Sequence, residues 1–264
     1  MRKSAVAVAT ASGAIALSTL LTSAAFAADA PAAPTMTSVT VNAGQDIVLS
    51  GLARNVEVPV TAIARAKAGV AGVQVTLWHG QNLDSIDGFL VGSGEFHCTT
   101  VNVTTSSCTD VITIRQSLKA DWSASGSEND LTGRWHVYAT VVDNKGRVTD
   151  DHKFATVNVL RKAKVTAEAS RTQVQKGKNV TFTGSLKRAD LDTNEFKGYD
   201  GASAQLQFSK EGTNVFTTVT TVKASNGELS ATVAADKDGR WRWSYTGDKT
   251  TSTATSAAQF VNVV

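Results

Sequence analysis

Apolar and polar residues alternate along most of the chain with a period of two. Val180, Phe182, Gly184 and Leu186 fall on one parity, and Thr181, Thr183, Ser185 and Lys187 on the other. Ala204, Leu206 and Phe208 alternate with Gln205, Gln207 and Ser209, while Trp241, Trp243 and Tyr245 alternate with Arg240, Arg242 and Ser244. Upstream, Trp135, Val137, Ala139 and Val141 share a face opposite Arg134, His136 and Tyr138. Successive side chains of a β-strand point to opposite faces, so each run predicts a strand with one buried and one solvated side. Asp143-Asn144-Lys145-Gly146, Ser225-Asn226-Gly227 and Asp236-Lys237-Asp238-Gly239 supply the turns. Phe216 and Val219 lie on opposite parities within one apolar-threonine run, which predicts a bulge. No stretch beyond residue 27 reads as a long amphipathic helix. The pattern predicts an all-β chain of antiparallel sandwiches.

The pattern also repeats. Gly133-Arg134-Trp135 recurs as Gly239-Arg240-Trp241, and Val157-Asn158-Val159 as Val261-Asn262-Val263. Near-equal offsets in two separate strands predict two copies of one architecture. The expected organisation is a first sandwich over residues 37–160 and a second over 161–264, joined at the basic run Arg161-Lys162-Ala163-Lys164, with a disordered segment over 28–36. Residues 116–130 form a polar stretch containing Trp122, long for a loop inside a compact domain.

Residues 1–27 have Arg2 and Lys3, then small and apolar residues ending Ala25-Phe26-Ala27. That is the plan of a secretory signal peptide, and its apolar part is too short to span a bilayer. The expected product is released to the cell exterior, where Cys98 and Cys108 are predicted to form a short-loop disulfide. The formal charge of the 264-residue chain is +3. Without the leader the excess falls to one, too little for a binder held by nucleic-acid phosphates. That near-balance hides a division: residues 28–160 carry 9 basic and 13 acidic groups, and residues 161–264 carry 15 and 10.

The second half contains KGKNVTFTGSL, GYDGASAQLQFSK, FTTVTTVKASNGELSATV and DGRWRWSYTGDKTTSTATSAAQFVNVV. Together these resemble a repeat of secreted actinobacterial proteins with bacterial immunoglobulin-like β-sandwiches. The first half resembles the domain that often precedes it, through VTLWHG, the paired cysteines and LTGRWHV. The resemblance implies two immunoglobulin-like domains; some relatives carry a calcium-binding label.

Asp190, Asp192, Asn194, Glu195 and Asp200 place five oxygen-bearing side chains close together in sequence. Calcium takes six to eight hard oxygen ligands, so this run is the candidate Ca²⁺ site. It departs from a helix-loop-helix calcium loop, with Glu195 at the turn glycine and Gly201 at the closing glutamate. The alternative is an inter-strand loop using Asp and Asn for turns. Trp78 and Trp122 are the candidates for a ligand surface, whereas Trp135, Trp241, Trp243 and Tyr245 share parity with the core. For catalysis there is no H-E-x-x-H or G-x-S-x-G motif, and His79, His97, His136 and His152 are scattered. The expectation is a secreted, non-catalytic binding or structural module, with no cofactor unless calcium binds. Its partner is a cell-wall polymer or another extracellular protein. A calcium-binding module of the same fold is the runner-up and a secreted hydrolase the third reading; oligomeric state is not legible.

Overall fold

The computed structural model describes residues 32–94, 96–119 and 126–264. The expected signal peptide and Trp122 therefore lie outside the described residues. The first half folds as β1 (Thr35–Val41), β2 (Ile47–Leu49), β3 (Val56–Arg65), β4 (Val70–Gly80), β5 (Ile86–Val91), β6 (His97–Asn102), β7 (Thr105–Ile114), β8 (Gly133–Asp143) and β9 (Val148–Arg161). One sheet has the order β1-β3-β7-β6 and the other β2-β9-β8-β4-β5. Every pairing is antiparallel except β2, which runs parallel to β9. In immunoglobulin lettering these are the sheets A-B-E-D and A′-G-F-C-C′. Val58, Val60, Ile112 and Ile114 of one sheet meet Leu77, Trp135, Val137 and Val159 of the other in a shared core. Strand β1 starts at Thr35, inside the segment expected to be disordered.

The second half folds as β10 (Ala163–Val165), β11 (Glu168–Ala169), β12 (Gln173–Val174), β13 (Lys178–Asp190), β14 (Glu195–Gly198), β15 (Ser203–Lys210), β16 (Thr217–Lys223), β17 (Glu228–Ala235), β18 (Gly239–Tyr245), β19 (Ala254–Thr255) and β20 (Gln259–Val263). Strand β13 pairs with β10, β11, β14 and β17, and the opposite sheet runs β12-β20-β18-β15-β16 with β19 on β18. Strand β12 again runs parallel to the last strand, so the lettering A-B-E and A′-G-F-C-C′ recurs. The run VTAEAS is broken into β10 and β11 where it crosses Gly184. A Cβ there would lie 2.1 Å from the Thr166 carbonyl oxygen and 2.9 Å from the Trp243 ring, so only glycine fits. The register of β15 against β16 steps from Thr220 to Thr218, which puts the bulge at Val219. No α-helix occurs among the described residues, and none is long and apolar enough to cross a membrane.

The repeated motifs occupy equivalent F and G strands. Gly133 stands opposite Val159 and Gly239 opposite Val261. The second Val-Asn-Val is thus slipped by two residues, and a slip of two keeps every side chain on its face.

Residues 32–264 form one compact unit. The reason lies in β13. Its even residues Val180, Phe182 and Leu186 enter the second core, while Ala189, on the other parity, and Leu191 just beyond the strand enter the first. The division expected at residue 160 is therefore not clean.

Candidate functional site

The oxygen-rich run expected to hold calcium is the tip of the β13–β14 hairpin, and it sits on the first sandwich. Leu191 is 2 % exposed within the first core, and its N–H donates to Asn129 Oδ1 at 2.9 Å. Asp192 accepts the Glu128 N–H at 2.7 Å, Asn129 Nδ2 at 2.6 Å and the Ser127 hydroxyl. These donors belong to the 3-10 turn Glu128–Leu131, whose N-cap is Ser127. A carboxylate there satisfies N–H groups that a helical turn leaves unpaired. Asn194, in left-handed backbone at φ 59°, accepts the Leu52 and Ala53 N–H groups at 2.5 and 2.9 Å. Asn tolerates that conformation better than most residues.

Asp190 closes the hairpin from inside. Its Oδ2 lies 2.8 Å from Lys197 Nζ, and its Oδ1 accepts the Thr193 N–H at 3.0 Å. The hydrogen bond from Lys197 holds the Asp190 carboxyl well below the usual range, against the opposing effect of burial; the Thr193 N–H and the Asn129 amide add to it. The same pair pushes the Lys197 ammonium up. Glu195 is exposed on β14, and Asp200 accepts the Asn226 N–H at 2.7 Å. Asn129 Nδ2 reaches both Asp190 and Asp192, at 3.4 and 2.6 Å, whereas Asn194 and Asp200 accept from other segments. No group of three or more His, Cys, Asp and Glu side chains among the described residues is placed to hold a metal.

The basic run between the sandwiches is pinned from both sides. The Arg161 N–H donates to Thr250 O at 2.8 Å, and its carbonyl accepts the Ser252 N–H at 2.9 Å. Lys162 donates to Leu49 O at 2.8 Å and accepts from the Ala189 N–H at 2.9 Å. The loop carrying Thr250 is organised by Asp248, which accepts the Tyr199 and Tyr245 hydroxyls and the Thr250 N–H. Burial opposes ionisation of Asp248, but these hydrogen bonds outweigh it and bring the carboxyl down to about 2. A cleft of about 420 Å³ lies at this junction, lined among others by Asp46, Leu160, Asp248 and Ser252.

Cys98 and Cys108 are bonded, with Cα atoms 4.0 Å apart as directly opposed residues of β6 and β7. The bond ties a fully exposed edge strand to its neighbour within one sheet, unlike the B–F bridge between sheets of antibody domains. Trp78, expected on a ligand surface, is fully buried. Three residues of β9, His152 to Phe154, stand opposite the single Tyr138, and this bulge arches over the outward face of β4. The His136 ring stacks on Trp78 at 4.4 Å, Lys153 Nζ lies 5.8 Å from its centroid, and the indole N–H donates to His152 O at 2.8 Å. Burial lowers the His136 pKa, and the nearby Lys153 and Arg134 cations lower it further.

Side chains that parity alone did not connect meet on the outer face of the second A′-G-F-C-C′ sheet. Arg242 Nε donates to Gln207 Oε1 at 2.9 Å, and its guanidinium lies 3.7 Å from the centre of the Phe216 ring. Gln207 donates to Gln205 Oε1 at 3.2 Å, and the Thr218 hydroxyl donates to the same oxygen at 2.9 Å.

No family model matches the chain, and no curated protein matches it. Among solved structures it is similar to the fibronectin(III)-like modules of Clostridium thermocellum CbhA, at 14% identity over 86% of this chain and 95% of that one, with a TM-score of 0.32. Murine CEACAM1b is 13% identical over 86% and 100% of the two chains, TM-score 0.35. The D00-D0 domain of Intimin is 17% identical over 85% and 99%, TM-score 0.27. Likenesses of this strength carry no functional argument, and the fold rests on the strand order itself.

Proposed function

We propose that the protein is a non-catalytic binding or structural module of the cell exterior, in which two immunoglobulin-type sandwiches are presented as one rigid body. The observation that carries this reading is the junction: Leu191 of one sequence half completes the core of the other, and Asp192 and Asn194 accept backbone N–H groups around it. Flexibly linked domains have few crossing contacts and an exposed polar linker, whereas Arg161 and Ala163 are 6 % and 5 % exposed. The disulfide fits an oxidising compartment. Calcium draws no support from the hairpin tip, because Asp190, Asp192 and Asn194 already accept from N–H groups, the Ser127 hydroxyl and Lys197.

The test is backbone NMR relaxation on the chain from residue 32. A single rotational correlation time for both sandwiches is expected. Separate tumbling of the halves in the wild type, or turnover of any hydrolase substrate that His or Asp substitutions abolish, would defeat the reading.

A further inference from the structure

The two A′-G-F-C-C′ sheets share a frame but differ in charge. The first carries Asp87, Asp143, Asp150 and Asp151 against Arg134, Lys153 and Arg161 on its strands. The second contains no Asp or Glu on any of its six strands, yet it carries Lys210, Lys223, Arg240 and Arg242. Among the described residues no carboxylate lies within ion-pair distance of these four cations, whereas Arg147, Lys119 and Lys197 each have one. Acidic side chains stand at the rim, where Glu211, Asp236 and Asp238 line a cleft with Lys210. Glu211 lines a second one, of about 280 Å³, with Lys210, Arg240 and Phe260.

The face is also organised. Phe216 and Gln207 fix the Arg242 guanidinium by stacking and by a hydrogen bond to Nε, which leaves the outward edge of the fork for a ligand. Arg240 stands two residues away on the same strand face, roughly 7 Å along it. Across from it is Phe260, which is 41 % exposed. A guanidinium held in plane suits bidentate pairing with a planar carboxylate. The amide and hydroxyl row Gln207, Gln205 and Thr218 suits a hydroxyl-rich chain, and the rings of Phe216 and Phe260 offer apolar faces to sugar rings.

We propose that this face binds a linear carboxylated polysaccharide, with Arg240 and Arg242 pairing its carboxylates. The proposal rests on the reading of the protein as a binding module and names the chemistry of its partner. A polyol phosphate lacks sugar rings for the two phenyls, and charge complementarity disfavours a neutral glycan.

The experiment measures binding of the chain from residue 32 to polygalacturonate, its methyl ester, poly(glycerol phosphate) and oligo-dT. Binding is expected for polygalacturonate, weakening as salt screens the charges, and not for the neutral ester. Arg240→Gln and Arg242→Gln should each weaken it about tenfold, the effect of losing one charge-assisted hydrogen bond. Arg242→Lys should lose nearly as much as Arg242→Gln, because the charge remains but the fork does not. Arg240 is exposed, so its variant tests the face even if Arg242 variants fold poorly. Equal retention on the ester, unchanged binding by Arg240→Gln, or equal binding of the phosphate polymer or oligo-dT overturns the assignment. If polygalacturonate fails to bind while the halves tumble together, the face assignment falls and the rigid-module reading stands.

Discussion

Both sandwiches open their F strand with Gly-Arg-Trp, and they use it differently. Trp135 is fully buried and its indole N–H donates to Leu131 O at 2.8 Å. Trp241 is nearly as buried, stacked on Phe182 and tilted against Phe208 at 4.7 Å each, but its indole N–H has no partner among the described residues. On the outer face, the first sandwich folds a bulge of β9 over Trp78, whereas the second leaves the equivalent sheet open, with its arginines facing outward. The strand frame fixes which way a side chain points. What that side chain can then do is decided by its flanks: a 3-10 turn beside Trp135, a bulge over Trp78, a phenyl beside Arg242.

The largest effect should come from breaking the asymmetry at the junction. Leu191 lies in the second half of the sequence, but Leu191→Ala should destabilise the first sandwich by about 2–5 kcal/mol, the usual cost of such a truncation in a packed core. Denaturant melts read by Trp135 fluorescence in one single-tryptophan variant and by Trp243 in another would locate the loss. A loss confined to the second sandwich would refute the assignment of Leu191. The disulfide comes next. Replacing Cys98 and Cys108 by Ser should cost the first sandwich somewhat under about 3 kcal/mol, the loop-entropy value for so short a closed loop. The second sandwich should melt unchanged.

Much of this comparison can be read from the amino acids. Alternation around Trp241, Trp243 and Tyr245 specifies the F strand and its buried face, and the counts of acidic and basic residues separate the two halves. The exchange of Leu191 is only hinted at. Ala189 and Leu191 are apolar on the parity opposite Leu186, a clue with no meaning until a second domain is there to receive them. The Asp190, Asp192, Asn194 cluster was ambiguous for a physical reason, since oxygens spaced to meet a cation are equally able to accept N–H groups. Trp78 misleads because its cover comes from a bulge more than seventy residues away. The contact of Arg242 with Gln207 depends on the register of two strands, which single-strand periodicity does not contain.

A smaller effect should sharpen the tryptophan comparison. Trp135→Phe removes a donor and leaves the buried Leu131 carbonyl unpaired, so the loss should include about 1–3 kcal/mol for that group. Trp241→Phe removes an indole N–H that lacks a partner among the described residues, and it keeps an aromatic ring between Phe182 and Phe208. Its cost should be lower by roughly 1 kcal/mol or more. Equal losses, measured as denaturant midpoints at constant slope, would mean that the indole hydrogen bond of Trp135 contributes nothing.

The smallest expected effect is the response of the junction to acid. Asp190 and Asp248 both have carboxyls held below the ordinary value of about 3.9, Asp248 at about 2 and Asp190 lower still. A carboxyl depressed in the folded state binds fewer protons there than in the unfolded chain. Its contribution is therefore fully present above the unfolded value and is lost as pH falls through the folded one. Stability measured from pH 5 downward should then drop through the window from about 4 toward 2. Other carboxylates titrate in the same window, so the informative quantity is the difference between wild type and variant. Asp248→Asn and Asp190→Asn should each give a flatter profile than wild type, with the curves converging at the acid end. Water reaches both groups and screens them, which keeps the difference modest. Parallel profiles would mean that neither carboxylate is stabilised by folding, and that the junction is held by Leu191 and the hydrogen bonds of Asp192, Asn194, Arg161 and Lys162 without them.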